Sequence, residues 1–375
     1  MRRSSIIFVA AAIAVATSVH AQQGAVDNSK APVVQYESVP EPLKLPADMN
    51  FGETLSVAVN SKGEVVVLNH PGTATSGPLY GNATTQLWKF DSSGKYVGEI
   101  GKGVYGLGYA HSVRFDKYDN LWVVDKGTNS VMKFSPAGRV LLNLGRRPEG
   151  YDSWRLERPT QAEARAGEGT FNGATDVAWD TTDNIYVSDG YVNSRIAKFD
   201  KSGNFVKSWG SFGRGGDHAD QNPGMFNNPH NMQIDRNNNV YVADRGNRRI
   251  HVFDTDGNFK HFLYLNAPYD KKHHPTLAAV PANAPDESAP WAMCLTPTTP
   301  QYLYVVDSEP GRLYKMTLDG KILGMMGISG HDMGQFNWPH GLACASENTV
   351  YVADMNNWRV QKIILKAPAT TTSSR

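Results

Sequence analysis

Three histidines occupy the same position in a repeated pattern of the sequence. Their segments read His111-Ser-Val-Arg-Phe-Asp116, His230-Asn-Met-Gln-Ile-Asp235 and His340-Gly-Leu-Ala-Cys344. Three imidazole ligands that leave a fourth position open are typical of catalytic zinc. Because imidazole also suits copper, iron and nickel, zinc is the preferred assignment among several metals. The alternative is that these histidines only hydrogen-bond to buried water.

Two further residues are candidates for the chemistry around such a metal. Tyr191 lies in the segment Gly190-Tyr-Val-Asn-Ser194, and Arg245 follows Val242-Ala-Asp. A phenol beside a metal cation gives up its proton more easily and can act as a base. An arginine can bind a carboxylate through two parallel hydrogen bonds. Without a metal, Tyr191 would be a packed turn aromatic and Arg245 a solvated surface charge.

The elements that carry these residues repeat along the chain. Five near copies of one strand end in aspartate: Leu121-Trp-Val-Val-Asp125, Ile185-Tyr-Val-Ser-Asp189, Val240-Tyr-Val-Ala-Asp244, Leu303-Tyr-Val-Val-Asp307 and Val350-Tyr-Val-Ala-Asp354. A degenerate copy at Glu64-Val-Val-Val-Leu-Asn69 completes six units. Each unit holds about four strands of alternating polarity, bounded by turn residues. A parallel α/β fold is excluded because the units contain no helical pattern.

Six four-stranded units predict an all-β fold, a six-bladed β-propeller that resembles the NHL-repeat family. In a propeller the first strand of each blade lines the central channel. Units two, four and six carry the histidines there, whereas units one, three and five carry Leu55, Thr175 and Trp291. Since alternate blades of six lie about 120° apart, the three imidazoles are predicted to converge on the channel axis.

The remaining features of the repeat are predicted to be structural. The recurring aspartate occurs whatever else its unit carries, and we expect it to cap backbone N–H groups of the following turn. The last unit lacks a clear fourth strand near Lys366, and Val33 to Leu45 is the segment predicted to cover that edge. Three insertions enter the channel face of the histidines, where they would form a lid or plain surface loops: Arg146 to Phe171, Ser211 to Pro229 and Asn266 to Pro290.

The ends of the chain predict export. Arg2, Arg3, an apolar run of about 14 residues and Val19-His20-Ala21 resemble a signal peptide with cleavage after Ala21, and an uncleaved anchor is the alternative. We expect residues 22–50 to be an extension, 51–366 the propeller and 367–375 a disordered tail. The mature protein is predicted to be a periplasmic or extracellular monomer without a membrane span.

Cys294 and Cys344 each lie in an apolar run, and buried free thiols are the preferred prediction over a disulfide.

Composition excludes one large class of function. Lys and Arg number 37 against 36 Asp and Glu, so the chain lacks the basic excess of a general nucleic-acid binder.

The chain resembles the peptidyl-α-hydroxyglycine α-amidating lyase family over roughly Leu55 to Ile364. The segment Ser188 to Ile196 matches the region around the family's catalytic tyrosine, and Val242 to Arg245 matches an active-site arginine. Pro229-His230, Pro339-His340 and Ala110-His111-Ser match the three metal-ligand segments. The resemblance implies a propeller with axial zinc on His111, His230 and His340.

The implied reaction splits a peptide with a C-terminal α-hydroxyglycine, or a small molecule of that kind, into an amide and glyoxylate. By the resemblance, Tyr191 takes the proton of the substrate hydroxyl, and Arg245 helps to hold the charged end. Metal stabilisation of a developing oxyanion is compatible with the three-histidine site.

The chain departs from the family's pattern at several positions. The family has an arginine in a His-Arg-Gly step of its first blade, and this chain has His70-Pro71-Gly72. A neutral imidazole is a poor replacement for a guanidinium. An aspartate that serves a structural calcium is replaced by Gly341, which disfavours calcium although Val57 and Val113 still offer backbone carbonyls. Trp338 replaces a methionine, and Val192 replaces a disulfide cysteine.

Two other functions stay open at this point. One is a metal-dependent hydrolase or lactonase, but such sites favour carboxylates around calcium rather than histidines. The other is a propeller that binds peptides or glycans without catalysis, which the fold alone does not exclude. Bound metal in stoichiometric amount separates the lyase from the binding propeller, which has no need of a metal.

Overall fold

The computed structural model describes residues 26–71, 85–104, 106–145, 167–214, 222–269, 288–308 and 310–366. The predicted signal peptide, the predicted tail, residues 146–166 of the first insertion and the middle parts of the other two insertions lie outside the described residues. Within the described part, the strands form six four-stranded antiparallel sheets and one short parallel pair.

The first three sheets take their strands in chain order. Blade one holds β2 (Glu53–Val59), β3 (Val65–His70), β4 (Gln86–Phe90) and β5 (Tyr96–Ile100). Blade two holds β6 (Ala110–Phe115), β7 (Leu121–Asp125), β8 (Ser130–Phe134) and β9 (Val140–Gly145). Blade three holds β10 (Asp176–Trp179), β11 (Ile185–Asp189), β12 (Arg195–Phe199) and β13 (Phe205–Trp209).

The last three sheets follow after a parallel pair formed by β14 (Ser211–Phe212) and β15 (Met225–Phe226). Blade four holds β16 (Pro229–Ile234), β17 (Val240–Asp244), β18 (Arg249–Phe253) and β19 (Phe259–Leu263). Blade five holds β20 (Pro290–Leu295), β21 (Leu303–Asp307), β22 (Leu313–Met316) and β23 (Ile322–Met326). Blade six holds β24 (Pro339–Cys344), β25 (Thr349–Asp354), β26 (Arg359–Leu365) and β1 (Tyr36–Val39).

The ring is closed by the N-terminal part of the chain. Strand β1 pairs antiparallel with β26, from Tyr36 opposite Leu365 to Val39 opposite Lys362. The chain therefore supplies the fourth strand of blade six from a segment that precedes blade one. An exposed row of unpaired N–H and C=O groups on β26 is avoided in this way.

The hydrophobic core is distributed between the blades. Six clusters of buried residues each join two neighbouring blades, and one of them packs Tyr351 and Ala353 of blade six against Val57 and Val65 of blade one. Middle strands are buried on both faces because a blade lies on each side of them, as in β7 and β17. This packing fixes the angle between blades and hence the shape of the channel. The predicted all-β six-bladed propeller is confirmed.

The recurring aspartates tie the loop before each first strand to the turn after each second strand. Asp244 accepts a hydrogen bond from the backbone N–H of Asn227 at 2.7 Å, three residues before His230. Asp354 does the same for Asn337 at 2.7 Å, three residues before His340. Asp125 accepts from the backbone N–H groups of Gly127 and Thr128 in the following turn, both at 2.8 Å. The aspartates thus position the start of the channel strands.

Cys294 and Cys344 form a disulfide between blades five and six. The prediction of free thiols is therefore wrong. Their separation of 50 residues in sequence is misleading, because β20 and β24 are neighbouring channel strands whose Cα atoms lie 5.6 Å apart at these positions.

We expect the purified protein to titrate no free thiol when unfolded without reductant. Replacing both cysteines by alanine is expected to lower the free energy of unfolding by about 2–4 kcal/mol, because the covalent loop restricts the unfolded chain. Thiol titration and chemical denaturation of the two proteins measure this. Two free thiols in the unreduced protein would contradict the pairing.

Candidate metal centre

The three histidines that the sequence singles out meet at the channel axis. His111, His230 and His340 are each the second residue of their strands β6, β16 and β24, and all three are buried. Each lies at a β-bulge, where the pairing register with the second strand shifts by one residue. A bulge re-aims a side chain out of the alternating pattern. The bulges therefore explain how inner-strand residues point into the channel.

The imidazoles form a compact triangle. The ring centroids are 4.6 Å apart for His111 and His230, 4.8 Å for His111 and His340, and 4.9 Å for His230 and His340. One ligand nitrogen from each ring lies within 4.8 Å of the others. Three buried histidines are thus close enough to bind a metal ion together.

The second nitrogen of each ring is held by the neighbouring blade. Nδ1 of His111 lies 2.7 Å from the carbonyl oxygen of Thr175, and Nδ1 of His230 lies 2.8 Å from that of Trp291. Nδ1 of His340 lies 2.9 Å from the carbonyl oxygen of Leu55. A carbonyl only accepts, so each Nδ1 carries the proton and each Nε2 presents a lone pair. Such outer hydrogen bonds fix the tautomer and orientation of metal-binding imidazoles.

The donor set fits a cation and is poorly satisfied without one. Nε2 of His111 and Nε2 of His230 are 3.1 Å apart, and two lone pairs at that distance repel each other. Burial lowers the pKa of all three histidines, that of His340 to about 3, so protonation does not relieve this repulsion. Tetrahedral ligands at about 2.0–2.1 Å from zinc are about 3.3 Å apart, which is close to the separation of the His111 and His230 nitrogens.

Tyr191 reaches the same point from the turn after β11. Its hydroxyl oxygen lies 3.1 Å from Nε2 of His111 and 3.4 Å from Nε2 of His230. Its backbone N–H donates to the carbonyl of Gly173 at 3.0 Å. Gly173 has a φ of +80°, and a Cβ there would lie 2.6 Å from the Cβ of Tyr191. Only glycine therefore allows the tyrosine turn to pack so closely on the preceding loop.

Arg245 lies beside the site, against Trp291 and Tyr191. It begins the short 3₁₀ turn Arg245–Asn247 directly after β17. Its guanidinium carbon is 4.1 Å from the ring centroid of Trp291 and 5.9 Å from that of Tyr191. Stacking on an aromatic face holds the planar guanidinium while its edge stays available for hydrogen bonds.

Lys126 is a residue of the site that the sequence analysis missed. It follows Asp125 at the end of β7, the position that Arg245 occupies after Asp244. Its Nζ lies 4.4 Å from the ring centroid of Tyr191. The signal was available, because the residue after each recurring aspartate points to the same end of the channel.

His70 occupies the corresponding position in blade one, directly before Pro71, which replaces the first-blade arginine of the family that the chain resembles. It is fully buried, with its ring centroid 4.3 Å from that of Tyr109. Burial, assisted by the charge of Lys126, lowers its pKa to about 3, and Glu53 at 4.0 Å does not offset this. His70 is therefore neutral at neutral pH and supplies no positive charge.

We expect His70→Leu to make the metal-free protein less sensitive to acid. A histidine with pKa about 3 when folded takes up its proton only in the unfolded state between pH 6.5 and 3. Its contribution to stability is thus lost as the pH falls, by about 2 kcal/mol at pH 5. Denaturant unfolding of both proteins at pH 7 and pH 5 measures the difference. Equal losses in the two proteins would contradict a neutral, buried His70.

The channel below the histidines already contains a charged group. The guanidinium of Arg114 donates to both carboxylate oxygens of Asp176, at 2.7 and 2.5 Å, and to the side-chain oxygen of Asn231 at 3.2 Å. A Cβ on Gly341 would lie 2.6 Å from the Cα of Ser56, so this position has no room for an aspartate. A fixed cation and the missing carboxylate disfavour calcium beside Val57 and Val113.

Comparison with known proteins finds relatives that include lyases of the family that the sequence resembles. The NHL repeat matches residues 226–253 and 336–363. The chain is 28% identical over 276 residues to the mouse "Peptidyl-glycine alpha-amidating monooxygenase", covering 71% of this chain and 24% of that protein. It is 23% identical over 353 residues to the Drosophila melanogaster "Peptidyl-alpha-hydroxyglycine alpha-amidating lyase 1", covering 86% of this chain and 59% of the fly protein. The chain thus spans less than two thirds of either relative.

A solved structure shares the fold at low sequence identity. Virginiamycin B lyase from Staphylococcus aureus superposes with a TM-score of 0.53 at 11% identity, covering 88% of this chain and 99% of that one. This likeness concerns the fold alone. The NHL repeats and the relatives named as lyases, apart from this likeness, support the peptidyl-α-hydroxyglycine α-amidating lyase family for the six-bladed propeller of this chain.

Proposed function

We propose that the protein is an exported, zinc-dependent lyase that cleaves a C-terminal α-hydroxyglycine into an amide and glyoxylate. Relatives named as lyases support a lyase-like function. The observation that carries the proposal is the meeting of three Nε2 lone pairs with the Tyr191 hydroxyl, 3.1 Å from the nearest of them. A propeller that only binds peptides or glycans has no need of this arrangement.

His111, His230 and His340 are the residues that would hold the metal. When bound, the ion would supply Lewis acidity to the hydroxyl oxygen of the substrate. Zinc is the preferred metal because three imidazoles with a free position are a common catalytic set for it. The buried walls around the histidines limit access of water, which strengthens electrostatic interactions in the site.

Tyr191 is the group that would move the proton. Its oxygen, as phenolate, accepts the proton of the substrate hydroxyl. The electron pair of that O–H bond forms the C=O bond of glyoxylate, and the C–N bond breaks. The amide nitrogen takes the bonding pair and receives the proton back from Tyr191, so that the products are a primary amide and glyoxylate. Arg245 would hold the carboxylate of the substrate through charge-assisted hydrogen bonds.

The place of action is part of the proposal. A disulfide between blades five and six persists in an oxidising compartment, which agrees with an N-terminal signal peptide. No helix among the described residues has the length and apolar character needed to cross a bilayer. We propose a periplasmic or extracellular protein that works as a monomer.

The direct test is glyoxylate release from α-hydroxyhippurate by the purified mature chain. We expect release with about one zinc per chain, loss of release with EDTA, and recovery when zinc is added back. A protein that holds zinc but releases no glyoxylate would refute this substrate class. A protein that neither binds metal nor releases glyoxylate would favour a binding propeller.

A further inference from the structure

Two positive side chains flank Tyr191 at the mouth of the metal centre. Lys126 approaches the ring from blade two, with Nζ 4.4 Å from the ring centroid. Arg245 approaches from blade four, with its guanidinium carbon 5.9 Å away. Both side chains and Tyr191 are half-buried, whereas the histidines beneath them are buried. Both cations thus lie beside Tyr191 and stay partly accessible to solvent.

Neither cation has an anionic partner in the described part of the chain. The ion pairs found there include other lysines and arginines, among them Lys133 with Asp116 and Arg195 with Asp189, but not Lys126 or Arg245. Among the described residues, both contact aromatic faces instead of carboxylates. Two cations without a carboxylate partner among the described residues lie beside the position that a substrate would occupy. Such a pair is suited to bind an anion from solution.

The two charges act on the metal centre itself. Both contact the ring of Tyr191, whose hydroxyl oxygen lies 3.1 Å from Nε2 of His111 and 3.4 Å from Nε2 of His230. Their fields therefore extend over the position where a substrate would bind. An incoming carboxylate would be attracted by the same fields.

Lys126 also lies next to the place of the missing first-blade arginine. Its Nζ is 4.8 Å from the ring centroid of Tyr109, and the ring centroid of His70 lies 4.3 Å from that of the same tyrosine. The neutral His70 contributes no charge there. The long side chain of Lys126, from blade two, places its ammonium group near the same tyrosine ring that His70 contacts.

We propose that Lys126 and Arg245 together form a carboxylate clamp across Tyr191, with Lys126 supplying the positive charge that blade one lacks. This rests on the proposed function, because the occupant is the carboxylate of a C-terminal α-hydroxyglycine and of the glyoxylate formed from it. Arg245 binds one side of the carboxylate as a planar fork, and Lys126 binds the other as a point charge. The clamp selects substrates with a free terminal carboxylate and orients the neighbouring hydroxyl toward Tyr191.

The test is the binding of hippurate, which has the carboxylate but no hydroxyl to react, to the zinc-loaded protein. Hippuramide, its neutral analogue, is the matched ligand. Calorimetric titration should show that Lys126→Gln weakens hippurate binding by about 10- to 100-fold, as expected for loss of a charged hydrogen bond. Lys126→Arg should restore most of the affinity. Hippuramide should bind weakly to all forms, with little dependence on residue 126.

Lys201→Gln is the control variant, because Lys201 is an exposed lysine in the turn between the third and fourth strands of blade three, on the opposite face. It should bind hippurate as the unmodified protein does. Zinc content and thermal unfolding verify that Lys126→Gln remains folded and loaded. With α-hydroxyhippurate, Lys126→Gln should raise KM more than it lowers kcat.

The outcomes separate the clamp from the reaction. Hippurate affinity that depends on Lys126, in a protein that releases no glyoxylate, would retain the clamp and refute the proposed function. Equal hippurate affinity in Lys126→Gln and the unmodified protein, or no hippurate binding to the zinc-loaded protein, would overturn the clamp. So would equal affinities for hippurate and hippuramide.

Discussion

Replacement of His230 by alanine is expected to empty the metal centre and to reduce glyoxylate release by about a thousandfold or more. His230 provides one of two Nε2 atoms that face each other at 3.1 Å, so its loss leaves only His111 and His340 as imidazole ligands. Two imidazoles are a weak zinc site in a protein. Elemental analysis of the dialysed variant should give far less than one zinc per chain, and the glyoxylate assay should give a rate near the background.

His331→Ala is the matched control for this variant. His331 is an exposed histidine whose Nδ1 lies 2.6 Å from the side-chain oxygen of Asn357, away from the channel axis. It should retain about one zinc per chain and full activity. Retention of zinc and activity by His230→Ala would refute the three-histidine centre. His230→Ala removes no charge from the folded protein, because burial lowers the pKa of His230 and keeps its side chain neutral.

Much of this centre could be derived from the sequence, because residues at equivalent positions of the repeat lie at equivalent positions in the blades of a propeller. Once six units are aligned, a residue at one register must lie at one height in the channel. His111, His230 and His340 share that register, and their meeting follows from sixfold geometry. What the alignment does not contain is the bulge at each histidine, which depends on how the strand pairs with its neighbour. The hydrogen bonds from Nδ1 to the next blade depend on it as well.

The features that sequence analysis missed are contacts between different blades. Cys294 and Cys344 belong to different strands that become neighbours only when blades five and six pack, so apolar surroundings suggested buried thiols. Lys126 was overlooked because a lysine after an aspartate is an ordinary surface residue unless its blade position is considered. The distance that decides the disulfide joins two blades, and no local pattern along the chain encodes it. The place of Lys126 at the channel face, by contrast, follows from its position after the recurring aspartate.

Replacement of Tyr191 by phenylalanine is expected to lower kcat for α-hydroxyhippurate by about 10²- to 10⁴-fold while KM and zinc content stay nearly unchanged. The variant removes one oxygen, 3.1 Å from Nε2 of His111, and retains the ring on which Lys126 and Arg245 lie. The carboxylate clamp should therefore persist, and the substrate should still bind. The imidazoles also keep their backbone partners, because Tyr191 makes no contact with any Nδ1 atom of the three histidines.

Steady-state kinetics with zinc determination on the same samples checks this expectation, and Tyr118→Phe is the control. Tyr118 is exposed, and its hydroxyl donates to Asp183 at 2.9 Å on the face opposite the metal centre. A drop in kcat alone identifies a group that acts in the transition state, whereas a rise in KM alone identifies one that only binds. If Tyr191→Phe kept full kcat, the proton would have to be moved by another group. If it lost zinc, Tyr191 would be a ligand of the metal rather than the base.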